Sequence, residues 1–408
     1  MSDIQLHQQL ERRIPMAPLE LIVMPSAAEL GRKVNDYLVL FRKNYNSIVK
    51  NDSAFKGYVR DDYRMAAECV RFRTGEGKGI IDDSCRGKDI YILTDVTNYS
   101  LTYTMNGFTN HMSPDDHFQD LKRIIAAING KAARISVIMP FLYEGRQHRR
   151  TARESLDAAN MLHELVDLGA DNFITFDAHD PRIQNVAPLA SFDNFLSPYQ
   201  FLRSIIRRFP DVILDKDHFV VISPDEGALD RAVYFASVIN ADTGMFYKRR
   251  DYSRIVNGKN PIVAHEFLGS DLKGKDVIVM DDMISSGGSI LDTAGQLKSM
   301  HAGRVFLCAT FGLFTDGLDR FDSAYERGDF DLVITSNLTY QPPALRTRPW
   351  ASEADMSKYL ANIIDFFNHN ASISEMTTPT SKIHELLAKF NRNEQTALEQ
   401  YELETTDF

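Results

Sequence analysis

Two adjacent carboxylates, Asp281 and Asp282, close an apolar run in DVIVMDDMISSGGSI, and a small polar turn of Ser285, Ser286, Gly287, Gly288 and Ser289 follows them. Val277 to Met280 is short and β-branched enough for a buried parallel strand, and Leu291 to Met300 has a helical apolar spacing. The turn therefore falls where a strand hands over to a helix N-terminus, whose unpaired backbone N–H groups suit a phosphate. Gly287 and Gly288 let the backbone come close, Ser286 and Ser289 add hydroxyl donors, and the two carboxylates can accept from vicinal ribose hydroxyls. No Gly-Lys-Ser/Thr follows the glycines, so this is not a Walker A loop, and the spacing is not GxGxxG. The plainer alternative is an ordinary strand-to-helix turn with solvated acids. An acid pair at the end of a buried strand costs desolvation and repulsion unless a cation or polyol meets it, which favours a sugar-phosphate site.

Other charged clusters fit the same chemistry. FYKRRD places Lys248, Arg249 and Arg250 just after a strand and before a polar stretch without apolar periodicity, which reads as a mobile basic arm able to close over phosphates. GRQHRR supplies Arg146 and Gln147 after the strand ending in MPF, with guanidinium groups suited to phosphate or nucleobase. FDAHD puts His179 at another strand end, and SPDEGALDRA puts Asp225 at a third. Carboxyl ends of strands are the ligand-binding edge of open α/β sheets. One imidazole and one carboxylate do not make a zinc site, but they fit a magnesium ion held mainly by water and substrate phosphates.

The elements that must position these groups alternate. Strands are expected at Leu19 to Val23, Glu68 to Phe72, Asp89 to Leu93, Arg134 to Met139 and Phe173 to Asp177, with helices from Ala27 to about Phe41, capped by Ser26, and at His117 to Ile128 and Ala152 to Leu168. A second set has strands at His218 to Ser223, Ala241 to Lys248, Asp276 to Met280, Arg304 to Thr310 and Leu332 to Ser336. Its helices are near Ala228 to Val238, Leu291 to Met300 and Gly317 to Tyr325. Two successive strand-helix sets argue for two parallel α/β units. Asn98 to Asp116 reads as polar and irregular, Lys43 to Asp62 as an insertion, and the tail from Thr378 as a helix to about Phe390 with a frayed acidic end. The chain of 408 residues is long for one core. A net charge of −10 argues against nucleic acid or an anionic membrane surface as the main partner. Three cysteines without ligand spacing indicate neither a disulfide framework nor structural zinc, so reducing cytoplasm is the expected compartment, and no apolar run is long enough to span a bilayer.

The segments RFRTGEGKG, SCRGKD, PFLYEGRQHRR, FDAHDPRIQ, ISPDEGALDRA, YKRRD, VIVMDDMISSGGSI and ASISEM stand in an order and spacing that resembles the ribose-phosphate pyrophosphokinases, from about Leu19 to Met376. The resemblance implies two phosphoribosyltransferase-like (type I) α/β domains, with parallel β-sheets flanked by helices. One would cover residues 19–197, with 354–376 packing back on it, and the other 198–350, between extensions at 1–18 and 378–408. It further implies ATP and ribose 5-phosphate as substrates, Mg2+ as cofactor, and a homo-oligomer built from dimers, up to a hexamer. On the matching positions, Lys248, Arg250 and His179 would be catalytic, and His179 and Asp225 would hold the metal. Arg146, Gln147 and His179 would meet ATP, with Phe72 and Glu76 of a neighbouring subunit completing the adenine pocket. Asp281, Asp282 and the loop Ser285, Ser286, Gly287, Gly288, Ser289 would take ribose 5-phosphate. Ser84, Arg86, Ser372 and Ser374 match positions that bind regulatory phosphate or ADP.

The chain departs from the family pattern at several of these places. Thr74 stands for an acid in the adenine motif, His148 for the acid of RQDRR, Ala178 for Leu before the histidine, Ala228 for a glycine, and Ser285 for the third acid of DDMIDTGGT. Three other readings thus stand beside a synthetase: a weakly active or inactive regulatory homologue, the same chemistry on another 5-substituted ribose, and a phosphoribosyltransferase, which would leave GRQHRR and FDAHD without a role.

Overall fold

The computed structural model describes residues 10, 13–44, 57–250, 262–377 and 379–391, with the side chains of 248–250, 262–265 and 375 outside the description. The first half contains β1 (Leu19–Val23), α1 (Ala28–Asn44), β2 (Ala67–Arg71), β3 (Gly77–Ile81), β4 (Asp89–Leu93), β5 (Thr102–Met105) and β6 (Phe108–His111), then α2 (Pro114–Ile128), β7 (Arg134–Ile138), α3 (Asp157–Asp167), β8 (Asn172–Phe176) and β9 (Ser191–Phe195). The second contains α4 (Pro198–Arg208), β10 (Phe219–Ser223), α5 (Leu229–Ile239), β11 (Asp242–Arg250), β12 (Ile262–Leu268), β13 (Asp276–Ile284), α6 (Gly288–Ser299), β14 (Val305–Gly312), α7 (Asp319–Glu326), β15 (Leu332–Ser336) and β16 (Ala351–Ala354). Helices α8 (Ser357–Asn368) and α9 (Thr380–Asn391) end the described chain.

Two parallel sheets result, in the order β1-β4-β7-β8-β9 and β12-β11-β10-β13-β14-β15-β16. Only β11 and β12 pair antiparallel within them. Strands β4, β8, β10, β14 and β15 are buried along their whole length, as apolar runs covered by helices on both faces must be. Helix α2 starts under a full capping box, Ser113 and Asp116 each satisfying the other's backbone N–H.

The chain then crosses back. Helix α8 buries Leu360, Ile363 and Ile364 in one core with Leu21, Val34, Leu38 and Phe41 of the first half. Arg42, fully buried, donates to Asp365 at 2.8 Å and to Asn368 at 2.7 Å, and its guanidinium lies over the rings of Tyr58 and Tyr63. Among the described residues no helix is long and apolar enough to cross a membrane.

Several sequence expectations change. Ser26 does not cap α1: its buried hydroxyl accepts the Asp95 N–H at 3.1 Å, tying the loop after β1 to the end of β4. The expected helix from Ala152 begins only at Asp157, and the expected irregular stretch 98–116 holds the hairpin β5–β6 and the first residues of α2. Strands β9, β12 and β16 and helices α4 and α8 are not among the sequence expectations, although α4 buries Phe201, Leu202, Ile205 and Ile206 on one face and so carries a clear helical period. Residues 380–391, grouped with a terminal extension, bury Ile383 and Leu386 in a core shared with α4 and α5. Most of the 43–62 insertion, most of the N-terminal extension and residues 392–408 lie outside the described residues.

Candidate active site

The carboxyl ends of β7, β8, β13 and β14 converge on one cleft between the two halves, lined by Phe141, Arg146, Ala178, His179, Asp282 and Phe311. Strand β13 is longer than the apolar run suggests, so Asp281 and Asp282 lie within it rather than at its end. Successive strand residues face opposite sides, which separates the two carboxylates.

Asp282 accepts from His179 Nδ1 at 2.7 Å, a bond joining the end of β8 in one half to β13 in the other. Burial pushes the Asp282 pKa up, but the His179 hydrogen bond and the Arg231 charge outweigh it and hold the carboxyl at about 2. The same bond raises the His179 pKa against partial burial. Asp281 goes the other way: burial and then the neighbouring Asp282 charge raise its pKa well above the carboxylate range. The pair is thus split into one ionised member and one that resists ionisation until a cation or hydroxyl donors arrive.

Arg231, in the first turn of α5, neutralises this edge. Its Nε donates to Asp177 at 3.1 Å and its Nη1 lies 3.9 Å from Asp281. Asp177 also accepts from Thr310 at 2.9 Å and holds a left-handed backbone with φ 39°. Burial raises the Asp177 pKa, and Arg231 opposes that rise. Neither Arg231 nor Thr310 had been assigned a role from sequence. The available signal was a cation six residues past Asp225, in the first turn of the helix that follows a strand end.

The turn after β13 is tight. Gly287 has φ 81°, and a Cβ on it would come within 2.4 Å of the Phe321 ring. Gly288 opens α6, with the Arg320 guanidinium 3.5 Å from where its Cβ would stand. Asp225 Oδ1 accepts the backbone N–H groups of Gly227 and Ala228 at 3.0 and 3.3 Å, fixing a carboxylate at the end of β10. His148, in place of the family acid, lies 3.1 Å from Asp180 and packs its ring 5.7 Å from that of His179.

Other expected residues lie elsewhere. Phe72 and Glu76 sit at the tip of the hairpin β2–β3, whose contacts run to α2 and to β5–β6 rather than to the cleft. Ser84 and Arg86 are exposed on the loop before β4, and Ser372 and Ser374, with hydroxyls 3.1 Å apart, follow α8. Strand β11 carries the backbone of Lys248 and Arg250, while their side chains and residues 251–261 lie outside the described residues. Among the described residues no group of three or more His, Cys, Asp or Glu converges as a ready metal cage.

Two parallel sheets, with an acid pair and a glycine turn leading into a helix, define phosphoribosyltransferase-type architecture. Family models match in tandem: the N-terminal domain of ribose phosphate pyrophosphokinase over residues 19–169, and the phosphoribosyl transferase domain over 194–322. The chain belongs to the ribose-phosphate pyrophosphokinase family. It is 26% identical to the ribose-phosphate pyrophosphokinase of Maricaulis maris over 314 residues, 76% of this chain and 91% of that one. It is 24% identical to ribose-phosphate pyrophosphokinase A of Dictyostelium discoideum, over 79% of this chain and 94% of that one. The fold is similar to that of the crystal structure of phosphoribosylpyrophosphate synthetase from Mycobacterium smegmatis, with a TM-score of 0.67 at 23% identity, covering 87% of this chain and 100% of that chain.

Proposed function

We propose that the protein is a ribose-phosphate diphosphokinase, in which the C1 hydroxyl of ribose 5-phosphate attacks the β-phosphorus of ATP. The β,γ-diphosphoryl group moves to the sugar and AMP leaves with the bridging oxygen. The observation that carries this reading is the 2.7 Å hydrogen bond between His179 and Asp282. It sets a group assigned to the nucleotide side against one assigned to the sugar side, across the junction of the two halves, where two anionic substrates must be aligned.

Each residue then has a task. The α6 N-terminus with Ser286, Gly287, Gly288 and Ser289 takes the 5-phosphate, while Asp281 and Asp282 accept from the ribose hydroxyls. Arg146 and Gln147 face the nucleotide from the loop after β7, and Lys248 and Arg250, carried by β11, meet charge as it grows on the transferring phosphates. The residues present fit magnesium: His179 has one ring nitrogen engaged by Asp282, leaving Nε2 for a cation, and Asp225 offers a fixed carboxylate. When bound, the ion would neutralise phosphate charge. We also place the enzyme in the cytoplasm as a dimer-based homo-oligomer, with Phe72 and Glu76 serving a neighbour's nucleotide. Ser84, Arg86, Ser372 and Ser374 are placed at a regulatory anion site, and the second domain is taken to run from 198 through β16 and to include α9.

The test is incubation with ATP, magnesium and ribose 5-phosphate, following products by mass. AMP and a sugar diphosphate are the expected products. ADP, or no turnover with any ribose phosphate, would refute the reading.

A further inference from the structure

Two hairpins stand apart from the main sheets, and their tips meet. In the β2–β3 tip, the Phe72 N–H donates to the Glu76 carbonyl at 2.8 Å and the Gly75 N–H to the Phe72 carbonyl at 2.9 Å. Thr74 Oγ1 donates to Glu76 Oε2 at 2.9 Å, so the residue that departs from the family acid holds the carboxylate beside it. The second hairpin, β5–β6, turns at Asn106 and Gly107, with φ 50° and 85°. The Asn106 N–H donates to the Arg73 carbonyl at 3.0 Å. Gly75, at φ 93°, lies so close to Met105 that a Cβ would come within 2.6 Å of its Sδ. Arg71 completes the junction: its guanidinium lies 4.9 Å over the Tyr103 ring and donates to the Gly75 carbonyl at 3.2 Å and to Asp120 of α2 at 3.1 Å.

We infer that the β5–β6 hairpin is a brace that holds the β2–β3 tip in its binding pose, so that Phe72 and Glu76 meet the nucleobase of ATP already ordered. An exposed tip without such support would lose conformational freedom when the nucleotide bound, and affinity would fall by that amount. The brace supplies a main-chain hydrogen bond to Arg73, a close apolar contact at Gly75 and an aromatic seat for Arg71. Thr74 fixes the acceptor itself. Met105, Asn106 and Thr74 are therefore positioning residues for nucleotide recognition, and none of them touches the sugar side. This inference rests on the proposed role of Phe72 and Glu76.

The test uses the full chain with magnesium and measures KM for ATP and for ribose 5-phosphate separately. Gly75→Ala and Thr74→Val should each raise the ATP KM about three- to tenfold, the equivalent of ordering one side chain on binding. The sugar KM should stay within about twofold. Adding Met105→Ala to Gly75→Ala clears the overlap at Sδ and should recover part of the loss. A purely structural role would lower turnover and disturb both KM values together, without that recovery. Thr74→Val leaves the tip backbone intact, so it remains informative if Gly75→Ala does not fold. Phe72→Ala is the control for the underlying reading. If Phe72→Ala raises the ATP KM while Thr74→Val and Gly75→Ala do not, the brace is overturned. If Phe72→Ala itself leaves the ATP KM unchanged, the nucleotide role of the tip falls, and the brace falls with it.

Discussion

Neighbouring glycines in the phosphate turn should respond to the same substitution in opposite ways. At Gly287 an alanine must adopt φ near 81°, which costs a non-glycine residue about 1–2 kcal/mol. Its Cβ would also lie 2.4 Å from two carbons of Phe321, a ring with no exposed surface that stacks 5.5 Å from Trp350 and meets Phe314 at 5.1 Å. That ring has nowhere to move, and overpacking of this kind costs about 1–3 kcal/mol. The sum is about 2–5 kcal/mol, or roughly 4–20 °C in Tm for a domain of this class, with the helix start displaced and the ribose 5-phosphate KM raised. At Gly288 the nearest atom to a Cβ is the exposed Arg320 guanidinium at 3.5 Å, an ordinary contact with a flexible neighbour. Gly288→Ala should leave Tm unchanged or slightly higher, because alanine favours the helix. Its methyl would nevertheless stand beside the Ser286 hydroxyl, 3.9 Å away, at the mouth of the phosphate turn, and should raise the sugar KM about tenfold. Differential scanning fluorimetry and steady-state kinetics on both variants decide the matter. An unchanged Tm for Gly287→Ala, or an unchanged sugar KM for a well-folded Gly288→Ala, would refute the geometry assigned to this turn.

Asp282→Asn removes the charged acceptor of His179, so kcat/KM should fall about 10- to 150-fold, the range for a charged hydrogen bond of 1.5–3 kcal/mol. In the same variant the His179 pKa should drop back toward its ordinary value in an NMR titration; an unmoved His179 would show that Asp282 is not its partner in solution. Lys248→Ala should cut turnover by about two to three orders of magnitude with little change in ATP binding. Equal turnover of wild type and variant at saturating substrates would instead favour the regulatory homologue. His369 is buried against Asp365, Arg42 and Tyr58, with Arg13 nearby, and burial lowers its pKa below 6.5. Below that pH the unfolded chain binds more protons than the folded one, so stability is full above it and is lost as pH falls toward the folded value. His369→Gln should flatten the Tm slope as pH falls below 6.5; an unchanged slope would assign that loss to other groups.

The most legible part of this chain was its set of buried parallel strands. Strands such as Asp89–Leu93 and Leu332–Ser336, continuous apolar runs in buried parallel sheets, were placed to within a residue. Strands β9 and β16 and the hairpin β5–β6 were missed because SFDNF, ASEA and TYTM are polar or only half buried, and local pattern does not distinguish them from loops. At the site, the strand-end placement of His179, Asp225, Asp281 and Asp282 was readable from the runs preceding them. The partnership of His179 with Asp282 was not, because 103 residues separate them and only the packing of the halves brings them together. Arg231 escaped for a similar reason: its importance lies in three carboxylates drawn from two different strands.

The return of α8 to the first half carries a consequence for how the chain matures. Arg42 and Asp365 are 323 positions apart, and with Asn368 they form a buried, charged closure that an incomplete chain cannot make. Asn368 also reaches the Ala17 carbonyl and Asp89, and Arg134 donates to the Phe367 carbonyl, so the amino ends of β4 and β7 are finished by α8. A ribosome that has released residues 19–197 has therefore made a sheet but not its lid. The emerging half would wait, with a buried-type arginine unpaired and apolar surface of α1 uncovered, until the second half had followed it out. The interval between release of residue 197 and release of α8 is then the one in which the first half is most exposed to misassociation, and a premature stop before Ser357 would leave its closure unmade.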